Sequence, residues 1–513
     1  MQRSADETTP VWVEGAGPEP SHEPLRQNTG ADVCVVGAGI AGLTTAYLLQ
    51  KEGRSVVVVD AFGLAAGETG RTTAHLTAVL DDRFSELESL FGVEGSRLAA
   101  DSHRAAIDRI ETIVADEQLD CDFERVDGYL VALPKNQQRA WDKEIDAAQR
   151  AGFYDAEGHP QVPLPNVEGM GPALQFPRQA TFHPTKYIHG LAKAFEAAGG
   201  RIYGGTRIAE VQGGSGAFAQ TEDGLRIDAR HIVVATNTPI NDRVTMHTKQ
   251  AAYRTYAISF EVPKGSYPGF LLWDMPDPYH YVRLMRGPGD NMLHDFLIVG
   301  GEDHKTGQAR DMEARYRRLE EWTRRHFGRL GAVKYRWSGQ IIEPVDSLAF
   351  IGRNPGEENV YVATGDSGHG MTHGTIAGML ISDLVQGRDN PWAGLYDPAR
   401  ITLKAARSFA SENINAGAHL VRDWLGPGEV DNAERVGRGE GAILRRGATK
   451  IAAYCDDAGA LHQYSAVCPH LDCIVQWNPN EKSWDCPCHG SRFDCEGRVL
   501  NGPAGSPLSP AEE

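Results

Sequence analysis

An α/β architecture followed by a small all-β domain is predicted for this chain of 513 residues, and three observations predict it. Asp32–Val36 reads as a short buried strand that runs into Gly37-Ala38-Gly39-Ile40-Ala41-Gly42 and then into LTTAYLLQKEG, which has helical spacing. Residues 245–305 alternate apolar and polar side chains as strands do, with FLLWDMPDPYHYVRLM and FLIVGG as the clearest runs. Beyond residue 427, VGRGEGAILRRGATKIAAYCDDAGALHQYSAVC breaks into short strands and turns, with GRGEG and DAGA placed as hairpin connections.

Residues 1–30, rich in Pro, Gly and Glu, form an extended N-terminal arm. An α/β unit is expected over 31–405, then a helical linker over 406–426, where RSFASENINAGAHLVRDWL has helical periodicity, and the all-β domain over 427–513. The net charge of −18 argues against nucleic acid or an anionic membrane as principal partner. No run fits a membrane span, since the apolar stretch from Val33 to Leu49 is broken by Gly37, Gly39 and Gly42. MQRSADETTPVW lacks the basic start and apolar core of a secretory signal, so the cytoplasm is the expected location.

Strand, glycine turn and helix come in the order that a dinucleotide site needs. Gly37 permits the tight turn, Gly39 lets backbone amides approach a pyrophosphate, and Gly42 lets the helix pack close to the strand. The second strand, SVVVVDA, ends at Asp60, roughly twenty residues past the glycines, where a carboxylate binds ribose hydroxyls. A Rossmann-like domain follows.

Four further segments decide which dinucleotide: GETGRTTAH (67–75), FHPTKYIHGLAKAF with GGRIY (182–203), HIVVATNTPI (231–240) and ENVYVATGDSGHGMTHGTIAGMLISDLVQG (358–387). Together they resemble the glycine- and D-amino-acid-oxidase-like FAD-dependent oxidoreductases over about residues 30–390. The resemblance implies FAD-binding segments at about 31–85, 182–240 and 336–390. It implies contacts from Arg71, Thr72, Ile208, Ala235, Thr236, Gly365, Gly370, Met371 and Thr372. The amides around Met371 and Thr372 would open a helix towards the flavin pyrimidine carbonyl, where a helix N-terminus stabilises negative charge on reduced flavin. His75, His369 and His373 fall in flavin-proximal segments, but none matches a known attachment residue, so noncovalent FAD is expected.

By the same resemblance, residues 245–335 supply most of an antiparallel sheet that roofs the flavin and builds the substrate pocket. Candidate pocket residues are Tyr253, Arg254, Tyr256, Tyr279, His280, Tyr281 and Arg283, and strand alternation puts only about half of them on the flavin face. Arg254 or Arg283 offers a bidentate partner for a substrate carboxylate. The family chemistry is loss of hydride from the α-carbon of a neutral amine, followed by hydrolysis of the imine. Positioning and exclusion of water dominate it, and no general base is demanded. Lys249 is conceivable as an oxygen-activating or flavin-adjacent lysine, but a surface position is the preferred reading.

Six of the eight cysteines lie between Cys455 and Cys495, which marks a metal module. Cys468-Pro469-His470 and Cys486-Pro487-Cys488-His489 each offer one thiolate and one imidazole. A structural zinc would need all four on one tetrahedral ion, whereas a Rieske [2Fe–2S] centre places two Cys on one iron and two His on the other. CPHLDC, CPCHGS and Gly502-Pro503-Ala504 resemble the Rieske proteins over 427–513. The resemblance implies ligation by Cys468, His470, Cys486 and His489, and a disulfide between Cys473 and Cys488. It also implies a hydrogen bond from the Ser491 hydroxyl to a cluster sulfide. Phe493 stands where high-potential relatives carry tyrosine, so a potential below the top of the range of about −150 to +300 mV is expected. Pro469 and Asp472 depart from the usual threonine and glycine.

A fused one-electron centre suits a dehydrogenase that exports electrons to an external carrier: a cytochrome, a ferredoxin or a quinone-linked protein. The alternative is a reductase module in which NAD(P)H reduces FAD and the cluster serves an oxygenase. That would require a second nucleotide-binding unit, and only one glycine fingerprint is present.

Overall fold

The computed structural model describes residues 8–132, 138–241, 246–287, 289 and 293–511. Residues 1–7 of the expected arm, Thr245 at the start of the expected roof, and residues 512–513 lie outside them.

Thr29–Val36 is the central strand of the first sheet because VCVV is buried on both faces, as a parallel strand requires. The sheet order is Phe350–Arg353, Val360–Thr364, Arg226–Val234, Thr29–Val36, Val56–Val59, Arg201–Tyr203. All its neighbours run parallel except Phe350–Arg353, and the hairpin Ile208–Gln212/Phe218–Thr221 hangs antiparallel from Arg226–Val234. The helices Ile40–Lys51 and Gly370–Gln386 pack on this sheet and on each other, since the residues they share, Ile40, Leu43, Ile376 and Leu380, are all buried in one core.

The second sheet runs Val333–Pro344, Gln250–Pro263, His294–Lys305, His280–Met285, Phe270–Asp274, Glu124–Val131, Ala173–Thr181, His75–Leu76, with Glu157–His159 at its edge. It is antiparallel apart from one junction, where Phe270–Asp274 pairs parallel with Glu124–Val131. One face buries Tyr256, Ile258, Phe260 and Val262 against Met312, Tyr316 and Leu319 of the helix Met312–His326. The opposite face turns towards the first sheet. Beneath the junction, residues 8–28 run as an arm whose Trp12 is 2% exposed and donates from Nε1 to Thr72 O at 2.7 Å.

Ala406–Leu425 forms the linking helix, whose Leu420 and Trp424 pack on the last domain. That domain stacks the sheet Glu440–Arg446, Thr449–Cys455, Leu461–Ser465 on the sheet Gln476–Asn478, Ser483–Asp485, Arg492–Asp494, Val499–Asn501. Its core holds Ile443, Ala452, Trp484 and Phe493. DAGA connects the second and third strands, as expected, but GRGEG leads into the first strand and the first hairpin turns at Gly447, whose φ is +63°. The strand begins at Glu440 and pairs with Thr449–Cys455 from Glu440↔Cys455 on, so it absorbs residues that glycine content alone assigned to the turn.

Candidate functional site

A cleft of ≈ 290 Å³ lies between the two sheets, and the glycine turn forms one wall of it. Gly37, Gly39, Ile40 and Ala41 line it at the start of the helix Ile40–Lys51. Gly37 has φ +113°, and a Cβ there would sit 2.3 Å from Ala235 O, so only glycine fits the turn. Gly42 does not line the cleft: a Cβ there would meet Gly37 O at 1.9 Å, which is the close helix–strand approach expected of it. Asp60 lines the cleft and accepts from the amides of Ala38 (2.8 Å), Phe62 (2.8 Å) and Gly63 (3.0 Å). Burial raises its pKa, and those three amides oppose the rise. The bare backbone cradle facing a buried carboxylate fits the phosphates and ribose of FAD.

Arg71, Thr72, Ile208, Ala235, Thr236, Gly365, Gly370 and Met371 also line the cleft. Thr372 does not, because its Oγ1 turns away to His103 Nδ1 at 2.7 Å. The amide end of the helix Gly370–Gln386 faces the cleft through Gly370 and Met371.

The roof is formed by Thr255, Ala257, Trp273, Tyr279, Tyr281 and Trp337. Of the pocket candidates, Tyr279 and Tyr281 are therefore in place, with Tyr281 OH 2.7 Å from Thr255 Oγ1. The remaining candidates are elsewhere. Tyr253 reaches the linking helix, its hydroxyl 3.5 Å from Glu412 Oε1. Arg254 is buried against Glu481 (3.4 Å) and Ser338. Tyr256 OH meets His304 Nε2 at 2.9 Å on the outer face. His280 stacks on Trp322 with centroids 4.2 Å apart and pairs with Asp274 at 3.0 Å. Arg283 Nη1 donates to the carbonyls of Ala74 (2.7 Å) and Phe182 (3.0 Å), which ties the side chain to backbone, and it does not line the cleft. Strand alternation explains part of the division: Thr255, Ala257, Tyr279 and Tyr281 share one face, and Arg254, Tyr256 and His280 the other, whereas Tyr253 and Arg283 have the cleft-facing parity but are drawn to Glu412 and to backbone carbonyls. Lys249 donates to Pro398 O and Arg400 O at 3.0 and 3.2 Å.

Four contributors were not assigned to the cleft wall from the sequence, although His369 was placed in a flavin-proximal segment. His369 Nε2 accepts from Asp81 N at 2.9 Å and lies 3.4 Å from Asp81 Oδ1, and this pair lines the cleft beside Tyr279. Asp303 sits behind Thr255 and Tyr279, with burial pushing its carboxyl up to about 7. Thr255 and Ala257 could have been found from alternation once Tyr281 was assigned to the cleft. The fourth contributor is the strand-end segment Val499–Gly505 of the last domain, most of which lines the same cleft, although its Gly502-Pro503-Ala504 was read only as part of the Rieske resemblance.

In the all-β domain, Cys468 N donates to Cys473 O (2.8 Å) and Cys486 N to Ser491 O (2.8 Å), closing two matching loops. Asp472 takes φ +57°, the left-handed position that the usual glycine would hold. Cys473 and Cys488 are joined as a disulfide, Cα to Cα 6.5 Å, which ties the loops together. The rings of His470 and His489 stand 5.0 Å apart at 87°, and His489 Nδ1 is buried with no hydrogen-bond partner among the described residues. The Cys468 thiol is held low by the Cys486 thiol and by the amides of His470 and Leu471 and the Ser491 hydroxyl. Two sulfurs beside two imidazoles, with amides and a hydroxyl aimed at sulfur, fit a [2Fe–2S] cluster bound by Cys468, Cys486, His470 and His489. Ser491 Oγ also accepts from Ala504 N at 3.0 Å, and Phe493 is fully buried.

The two sites adjoin. Gln340 lines the flavin cleft, and its Nε2 donates to Gly490 O, next to His489, at 2.8 Å. Gly490 has φ +78° and a Cβ there would lie 2.2 Å from Ala252 Cβ, so the ligand loop rests flat on the strand Gln250–Pro263. The His247 ring stands 4.9 Å from that of His470. Glu481, 9% exposed, pairs with Arg71 at 2.7 Å and with Arg254 at 3.4 Å, and accepts from Ser338 Oγ at 2.6 Å.

This arrangement defines a flavin-dependent oxidoreductase with an iron–sulfur domain built onto it. The chain belongs to the family described as FAD dependent oxidoreductase, which matches residues 32–384, and residues 427–511 match the Rieske [2Fe-2S] domain. It is similar along 99% of its length, and along 98% of the relative's, to the Rieske 2Fe-2S iron-sulfur protein YhfW of Bacillus subtilis (strain 168), at 32% identity. It is 26% identical to gamma-glutamylputrescine oxidoreductase of Escherichia coli (strain K12), covering 82% of this chain and 99% of that one. Glycine oxidase from Geobacillus kaustophilus shares the fold, with a TM-score of 0.61 at 17% identity over 73% of this chain and 100% of that one. Among the described residues, no helix is long and apolar enough to cross a membrane.

Proposed function

We propose that the protein dehydrogenates an amine or amino-acid derivative in the FAD cleft and exports the electrons through the Rieske centre to a cytoplasmic one-electron acceptor, a cytochrome, ferredoxin or quinone-linked protein. The observation that carries this reading is Gln340, which borders the flavin cleft and hydrogen-bonds the backbone beside His489. The name of the Escherichia coli relative, gamma-glutamylputrescine oxidoreductase, supports an amine as substrate. When bound, FAD accepts hydride from the carbon bearing the amine, and the cluster carries electrons singly.

The chain's own residues position and dry the site. Tyr279, Tyr281, Trp273 and Trp337 give the roof an aromatic surface that excludes water from a flat ring system. His75, which lines the cleft, is pushed down to about 3 by burial and by Arg283, so it stays neutral at working pH. The Asp81–His369 pair stands at the aromatic end, where a substrate ammonium can give up its proton before reaction.

Anaerobic mixing tests the reading. A panel of amines and amino acids should bleach the flavin and then reduce the cluster, and Cys468→Ser should lose only the second phase. Bleaching by NADH but by no amine would overturn it.

A further inference from the structure

We propose that the loop Val499–Gly505 of the cluster domain is a wall of the FAD site, so that FAD binding and docking of that domain strengthen each other. This goes beyond the assignment of substrate and acceptor and does not depend on either. Val499, Leu500, Asn501, Gly502, Ala504 and Gly505 line the same cleft as the glycine turn. The hydrogen bond from Arg207 to Val499 O sets the loop beside Thr206–Ile208, which line the cleft with Asp60.

Two hydrogen bonds fix the loop to the flavin domain. Arg207 Nη2 donates to Val499 O at 3.0 Å, and Asn501 Nδ2 donates to Glu68 Oε1 at 2.9 Å. The other Glu68 oxygen accepts from Gln340 N at 2.7 Å, so the loop, the cleft wall and the strand beside the cluster share one carboxylate. A Cβ added at Gly502 would lie 3.7 Å from Thr238, another cleft residue, so the loop passes close to Thr238. The same loop reaches the iron–sulfur site, where Ala504 N donates to Ser491 Oγ at 3.0 Å.

A dinucleotide lying on the glycine turn touches this loop only when the domain is docked. A ligand that contacts one of two states better shifts the population towards it, and the coupling is reciprocal. FAD therefore holds the cluster domain in place, and the docked domain holds FAD.

The test uses the full-length, deflavinated protein with its cluster retained. Adding FAD to the wild-type chain should slow amide exchange across 499–505 while leaving the strand Glu440–Arg446, on the far sheet, unchanged. Asn501→Asp, which sets a second carboxylate against Glu68, should weaken FAD binding by about tenfold, within the usual span of coupling between sites. Affinity is read from quenching of flavin fluorescence, and the cluster's absorption and EPR spectra report that the domain stays folded. Unchanged exchange at 499–505 on FAD binding overturns the proposal, whatever the variant does. So does an Asn501→Asp protein that keeps its cluster and binds FAD as tightly as wild type.

Discussion

Asp303 shows how much a single buried group sets at the aromatic end of the cleft. Its Oδ1 is buried without a hydrogen-bond partner among the described residues. Burial pushes its carboxyl up to about 7, the Thr255 and Tyr279 hydroxyls lower it in part, and Asp81 raises it further. Between the ordinary value of 3.8 and about 7 the unfolded chain has released this proton and the folded chain has kept it. Stability therefore falls as pH rises through that window. Asp303→Asn removes the effect, so the stability gained by the variant over wild type should be larger at pH 8 than at pH 5 by about 2 kcal/mol. Denaturant melts at the two values measure it, and a gain independent of pH would contradict the assignment. Asp303 was not legible as a site residue, because EDHKTG reads as a charged strand end until the roof folds over it. Tyr279 and Tyr281 were legible as aromatics in a strand. Which of their neighbours shared their face depended on register, and Arg254, Tyr256 and His280 belong to the half of the candidates that alternation sends to the other face: a shift of one residue reverses the face.

Among the elements, the hairpin from Gln476–Asn478 to Ser483–Asp485 carries Glu481 into the interface. Burial alone would raise that carboxyl, but Arg71, Arg254 and Arg492 together hold it well below the ordinary 4.5. Its contribution is complete above the unfolded value and is lost only as pH falls into strong acid. Glu481→Gln leaves Arg71 and Arg254 facing a neutral group, while Arg492 keeps Asp485 at 2.9 Å, and should cost about 3–5 kcal/mol, read as an earlier thermal transition. A melt unchanged from wild type would show the pairs to be dispensable. NPNEKSW gives no hint of this, since an acid in a polar turn is normally solvated. Elements governed by local order were readable: the βαβ unit, the linking helix and the two Cys/His loops carry their patterns in consecutive residues. The parallel junction of Phe270–Asp274 with Glu124–Val131 joins segments far apart in the chain, and alternation alone carries no strand direction.

At the scale of the whole molecule, the cluster's ligand loop is closed against the flavin domain by His247, Ala252 and Gln340, and the pairs of Glu481 with Arg71 and Arg254 that cross the interface are buried, whereas the Arg310–Glu429 pair is exposed. Buried pairs are screened little by salt, whereas exposed charges farther apart than a Debye length are screened strongly. Both centres also ride on one chain, so transfer between them needs no encounter. The reduction of the cluster after the flavin should therefore be first order, with a rate constant that does not change with protein concentration or between about 0.05 and 0.5 M salt. Delivery to an external acceptor differs, because the chain carries a net charge of −18 and steers a cationic partner through that field. Turnover with such an acceptor should slow across the same salt range while the internal step holds constant. Stopped-flow absorbance of the cluster, with and without acceptor, separates the two. An internal rate that climbs with protein concentration would mean that electrons pass between molecules, and the docked arrangement would then not be the one that conducts them.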